Sequence, residues 1–169
     1  MKNKINYQVM GTNQWKHVSS IENFNKNRLK FYLQSNNLLS DLKISDESFS
    51  LLKVDLKDRS DVDELLNLKY DVIENKIYKK NSLVFTTNTI EKPFEFSGNF
   101  SGKLKFSINK KDVDIYVYLY ELMPNEKYFL LSTYLERANY NKNNEKRNLL
   151  TPNKKETISI SNNKFISKK

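Results

Sequence analysis

Apolar and polar positions alternate without a break in KLKFSI, residues 103–108: Leu104, Phe106 and Ile108 fall to one side, Lys103, Lys105 and Ser107 to the other. Period two predicts a strand with one covered face. The same pattern recurs along the chain. KINYQVM puts Ile5, Tyr7 and Val9 together and ends at Gly11. RLKFYLQS predicts a strand bearing Leu29, Phe31 and Leu33, and SFSLLKVDL another bearing Phe49, Leu51 and Val54. SLVFTTN is uncharged and rich in β-branched residues, and KPFEFSG turns Phe94 and Phe96 the same way. In DIYVYLYEL nearly every position is apolar or Tyr. Such a strand is buried on both faces, or buried on one and covered by Tyr rings on the other. MPNEK supplies a turn and YFLLSTYL the returning strand of a central hairpin. Ile158 and Ile160 mark another strand after the Pro152 loop.

Helical signals are few. Ser19 and Glu22 have capping-box spacing ahead of a single turn, but three Asn follow and oppose it. SDVDELLNL predicts one short helix, with Ser60 as cap and Leu65, Leu66 and Leu68 as its apolar side. The polar stretch 139–148 predicts a mobile loop. Eight to ten short strands with almost no helix give an all-β chain, a two-layer sandwich or jelly roll.

Composition narrows the chemistry. The 169 residues suit one domain, and 38% hydrophobic content is enough for a core. There is no Cys and one His, so no disulfide or thiolate site exists and a zinc site is not expected. The net charge is +9, and residues 137–169 hold nine Lys/Arg against two Glu. Elsewhere Lys alternates with Asp and Glu, and 23 Asn accompany the Lys. This reads as a solvated lysine surface, and no nucleic-acid partner is expected. No run of eighteen apolar residues is present, so nothing spans a membrane and no membrane partner is expected. The first residues contain no apolar segment of a secretion signal. The compartment stays open.

The glycines are Gly11, Gly98 and Gly102, and none forms G-x-S-x-G, a phosphate loop or a dinucleotide fingerprint. His17, in WKHV, reads as a loop residue with a surface or packing role. Its neighbour Trp15 reads as a core or interface anchor. Asp112 and Asp114 are two apart, which on a strand places both carboxylates on one face, as paired acids require. The plainer reading is a turn in which Asp bonds local N–H groups; a calcium site has only these two hard ligands. No catalytic, cofactor or metal residue is assigned. The ten Tyr and ten Phe read as sandwich interior with hydroxyls at its rim.

LVFTT, KPFEFSGNFSGKLKFSI, KDVDIYVYLYELMPNEK, LLSTYLERANY and LLTP occur in this order over residues 83–152. Their order and spacing resemble the C-terminal non-catalytic domain of X-Pro dipeptidyl-peptidases and cocaine-esterase-like hydrolases. Gly98, Gly102, Asp112, Asp114, Pro124, Arg137 and Pro152 fall where that pattern has them. VMGTNQWKHV resembles the passage from the hydrolase domain, with Met10, Gly11 and Trp15 as markers. The turn PNEK lacks a Gly often found there, STYLERANY lacks an Asp-Gly pair, and residues 34–80 match loosely.

The resemblance implies a galactose-binding-like jelly roll over residues 29–169, joined through a junction at 1–28 to an α/β-hydrolase domain that it packs on and whose entrance it shapes. His17 does not match the family's catalytic His. The family pattern continues past ISISNNKFISKK, so the sandwich is expected to lack its last strands. An unpaired edge and self-association, as in a homo-oligomer, are expected from that. A different class of reading is a stand-alone carbohydrate-binding sandwich, which needs a concave face with exposed aromatics.

Overall fold

A computed structural model describes residues 5–25, 27–45, 48–60 and 71–169. The strands run in chain order β1 (Ile5–Val9), β2 (Gln14–Val18), β3 (Tyr32–Leu33), β4 (Leu39–Ser40), β5 (Ile73–Glu74), β6 (Phe96–Gly98), β7 (Ser101–Phe106), β8 (Asp114–Leu122), β9 (Tyr128–Arg137), β10 (Glu156–Ser161) and β11 (Ile166–Lys168). Helix among the described residues is limited to two 3-10 turns, Ile21–Asn25 and Ala138–Tyr140. The all-β class is as the alternation predicts, and the paired elements are consistent with a sandwich. The galactose-binding-like jelly roll stays an implication of the resemblance.

The β8–β9 hairpin dominates. Its antiparallel register runs from Asp114 opposite Arg137 to Leu122 opposite Tyr128, with a bulge between Leu119 and Tyr120. Ile115, Val117 and Leu119 are half-buried on one face, while Tyr116 and Tyr118 stand exposed on the other. Of the two readings of DIYVYLYEL, the Tyr-covered one holds. Tyr116, Tyr118 and Tyr120 form a row with ring centroids 6.5 and 6.3 Å apart. At the turn, Glu126 donates its N–H to the Met123 carbonyl with φ 61°, and Met123 donates to Lys127. β5 pairs with β9 on the other side.

β7 and β10 pair antiparallel, with Leu104 opposite the fully buried Ile158. Alternation is kept, Leu104 and Phe106 inward and both lysines outward. β6 pairs with β11. Buried Asn162 ties the β10–β11 turn to β9 by donating to Ser132 Oγ (2.8 Å) and to the Thr133 carbonyl (3.1 Å).

The two ends of the chain meet. β1 and β2 form a hairpin through Gly11. Met10 donates to the Ser167 carbonyl and accepts from the Lys169 N–H, both at 3.0 Å. Tyr7, Phe24 and Phe165 form an edge-to-face cluster with centroids 4.6–5.6 Å apart. That cluster explains why IENFN folds back as a short turn despite its Asn. Ser19 there accepts from the Asn23 side chain and makes no capping box.

The interior is thin. Val9, Ala138, Ile158 and Ile166 are the buried hydrophobic side chains among the described residues. Two expected strands are corrected. RLKFYLQS keeps only Tyr32–Leu33, with Leu29, Phe31 and Leu33 exposed, and SFSLLKVDL forms no strand, with Phe49 83% exposed and Leu51 and Val54 open to solvent. SLVFTTN contributes a single bridge, Thr86 to Leu38. An alternating sequence supplies a face for burial, but of these stretches only Tyr32–Leu33 finds a strand partner, at Leu39–Ser40, and its Leu33 stays exposed. The helix expected at SDVDELLNL lies mostly outside the described residues.

Candidate functional site

Asp112 and Asp114 do not converge on a cleft. Asp112 lies before β8 and is half-buried. Its Oδ1 accepts from the Val113 N–H at 2.9 Å, the turn role that Asp plays before a strand. Its Oδ2 accepts from Asn139 Nδ2 at 2.5 Å and from Arg147 at 3.3 Å. Asp114 opens β8 and is gripped by Arg137 across the pair: Nε to Oδ1 2.6 Å, Nη2 to Oδ2 2.9 Å. The Arg137 guanidinium holds the Asp114 carboxyl below the usual carboxylate range. An acid catalyst needs a raised pKa, so this shift has the wrong sign. Each carboxylate is occupied by its own cation, and the pair staples the far end of the hairpin.

Stretch 139–148, read from sequence as a polar loop, begins with a structural residue. Asn139 is fully buried, and its carbonyl accepts from Asn148 at 2.7 Å. Sequence reasoning missed this, because an Asn in an Asn-rich stretch carries no signal of burial.

His17 sits in β2 opposite Asn6 and is exposed. This corrects its assignment to a loop. Trp15, opposite Gln8, is 70% exposed. It is no core anchor, which leaves the interface alternative. Among the described residues, no three His, Cys, Asp or Glu side chains are grouped to hold a metal.

Concavities are found among the described residues. One is a void of about 20 Å³ beneath Asn141, Leu149 and Thr157, room for about one water. The other is an open depression of about 350 Å³ lined by Asn75, Lys76, Ile77, Lys79, Leu122, Glu126 and Tyr128. Tyr120 meets Tyr128 edge-on at 6.1 Å, so the Tyr row leads toward it. Tyr120 donates to Glu74 Oε1 at 3.1 Å, and burial, then that carboxylate, raise its pKa. A carbohydrate-binding face needs exposed aromatics, which Tyr116 and Tyr118 supply, and an enclosing pocket, which this shallow depression is not.

What the surface does offer is uncovered apolar side chain. Phe49, Leu51, Leu52, Val54 and Leu56 are all exposed along one irregular stretch. Single exposed apolar residues are ordinary, but five within eight positions make an exposed apolar run. Its alternation was legible as a strand signal, but the stretch forms no strand.

The family model described as the X-Pro dipeptidyl-peptidase C-terminal non-catalytic domain matches residues 2–166. No curated protein and no solved structure matched the chain.

Proposed function

Since the chain belongs to the family of X-Pro dipeptidyl-peptidase C-terminal non-catalytic domains, we propose that it packs on the α/β-hydrolase catalytic domain of its parent protein and shapes the entrance to that domain's active site. A non-catalytic C-terminal domain implies a catalytic domain in the same parent. The packing rests on one observation, the exposed apolar run from Phe49 to Leu56 beside an interior with four buried hydrophobic side chains among the described residues. Covering a Phe or Leu side chain fully is worth roughly 1.5–3 kcal/mol, so an apolar partner surface stabilises this stretch strongly. The junction is assigned to residues 1–28 and the sandwich to 29–169. In this reading the chemistry belongs to the partner domain, and Asp112, Asp114 and His17 are not reagents.

The test is reconstitution. The catalytic domain and this chain are produced separately and mixed, and complex formation is followed by sedimentation. Association that is lost in the Phe49→Asp, Leu51→Asp double variant supports the packing. A catalytic domain that ignores the chain contradicts it.

A further inference from the structure

Two basic stretches far apart in sequence lie side by side in the fold. Leu150 donates its N–H to the Lys111 carbonyl at 2.9 Å, and Asn153 donates to the Ile108 carbonyl at 2.7 Å. Within the loop, the Asn143 side chain accepts from the N–H groups of Glu145 (2.8 Å) and Lys146 (3.0 Å). The loop is therefore folded against the β7–β8 connection. It gathers Lys110, Lys111, Lys142, Lys146, Arg147 and Lys154 at one end of the sandwich, all exposed. The carboxylates nearby are Asp112, Glu145 and Glu156. Asp112 is turned toward Asn139 and occupied by Arg147, and Glu156 is half-buried on β10. The outward face is net positive. Among these cations Leu149 is 54% exposed, while its neighbour Leu150 is half-buried.

We infer that this end of the molecule is a peripheral docking surface for an anionic phospholipid bilayer. The ammonium groups meet the headgroups, and Leu149 enters the boundary of the acyl region. Charge complementarity supplies the attraction, and a half-exposed apolar side chain among lysines suits interfacial binding. A nucleic acid fits less well. Residues 141–155 hold a single Arg and no aromatic ring on which a base could stack. The absence of an apolar span, which argues against crossing a membrane, has no bearing on binding at its surface. None of these residues belongs to the Phe49–Leu56 run on which the packing rests.

The test is flotation of the full 169-residue chain with vesicles of phosphatidylglycerol and phosphatidylcholine in equal parts, against phosphatidylcholine alone. Aggregated protein sinks, so only bound protein rises. The chain is expected to float with the anionic vesicles only. Each cation at an anionic surface is worth roughly five-fold in partitioning, so Lys142→Glu, Lys146→Glu and Lys154→Glu together lower it by about a hundred-fold or more. Leu149→Ser lowers it several-fold with the charge unchanged. Should the triple variant lose its strand signal in circular dichroism, raised salt on the unaltered chain replaces it and is expected to abolish flotation. Absent flotation, equal flotation with neutral vesicles, insensitivity to both charge reversal and salt, or a Leu149→Ser variant that floats like the parent each overturns the inference.

Discussion

Gly11 and Lys169 meet backbone to backbone: a Cβ placed on Gly11 would lie 2.6 Å from the Lys169 carbonyl oxygen. Gly11 has φ +94°, a conformation that L side chains rarely adopt. Through this contact and the Met10 hydrogen bonds, the first hairpin and the last strand hold each other.

Gly11→Ala is therefore expected to destabilise the chain by about 2 kcal/mol, from backbone strain together with the clash. Gly102→Ala is the control, since nothing lies within 4 Å of an added Cβ there. Urea unfolding followed by circular dichroism checks the pair. Equal midpoints for the two variants would remove the junction between the chain ends from the account.

The buried side of β10 makes a second test. Ile158 is fully buried opposite Leu104. Ile158→Ala is expected to cost about 3 kcal/mol, the transfer loss plus a residual cavity. With so few buried hydrophobic side chains, a loss of that size is a large part of the total stability of a domain. A loss under about 1 kcal/mol would show that β7 and β10 do not form the core.

Asp114 and Arg137 give a pH dependence with a definite sign. The folded carboxyl titrates below its unfolded value of about 3.9. The pair's contribution is therefore complete above about pH 4 and is lost as the pH falls through the depressed folded pKa. Both side chains are over a third exposed, so solvent screening keeps the contribution small. Arg137→Ala should lower urea midpoints slightly at pH 6 and not at pH 2. A variant effect that grows on acidification would contradict the pairing.

Uncovered apolar side chains are expected to promote self-association of the chain alone. Replacing Phe49, Leu51 and Leu56 with Lys is expected to reduce association in sedimentation velocity and leave the circular dichroism unchanged. A parent chain that stays monomeric at high concentration would show that this run needs no cover.

Several elements were legible because local alternation matched the environment. Leu104, Phe106 and Ile158 read correctly from period two alone, and the β8–β9 hairpin read correctly from its apolar flanks and MPNEK turn. Leu29, Phe31, Phe49 and Leu51 carry the same pattern and are exposed. Alternation reports that a face seeks cover and does not say whether the cover comes from within the chain. The joining of Met10 to Ser167 and Lys169 is non-local and leaves no periodic trace. Asp112 and Asp114 shared the spacing of paired acids, but their partners Asn139 and Arg137 lie on the far arm of the hairpin, so their separation into two staples was invisible in linear order.

The most direct measurement is hydrolysis of an X-Pro dipeptidyl amide by the purified 169-residue chain with no other protein present. The account predicts no turnover above the buffer rate, since the domain is non-catalytic. Turnover that disappears on replacing one of the chain's own side chains, His17 or Asp112 among them, would contradict it.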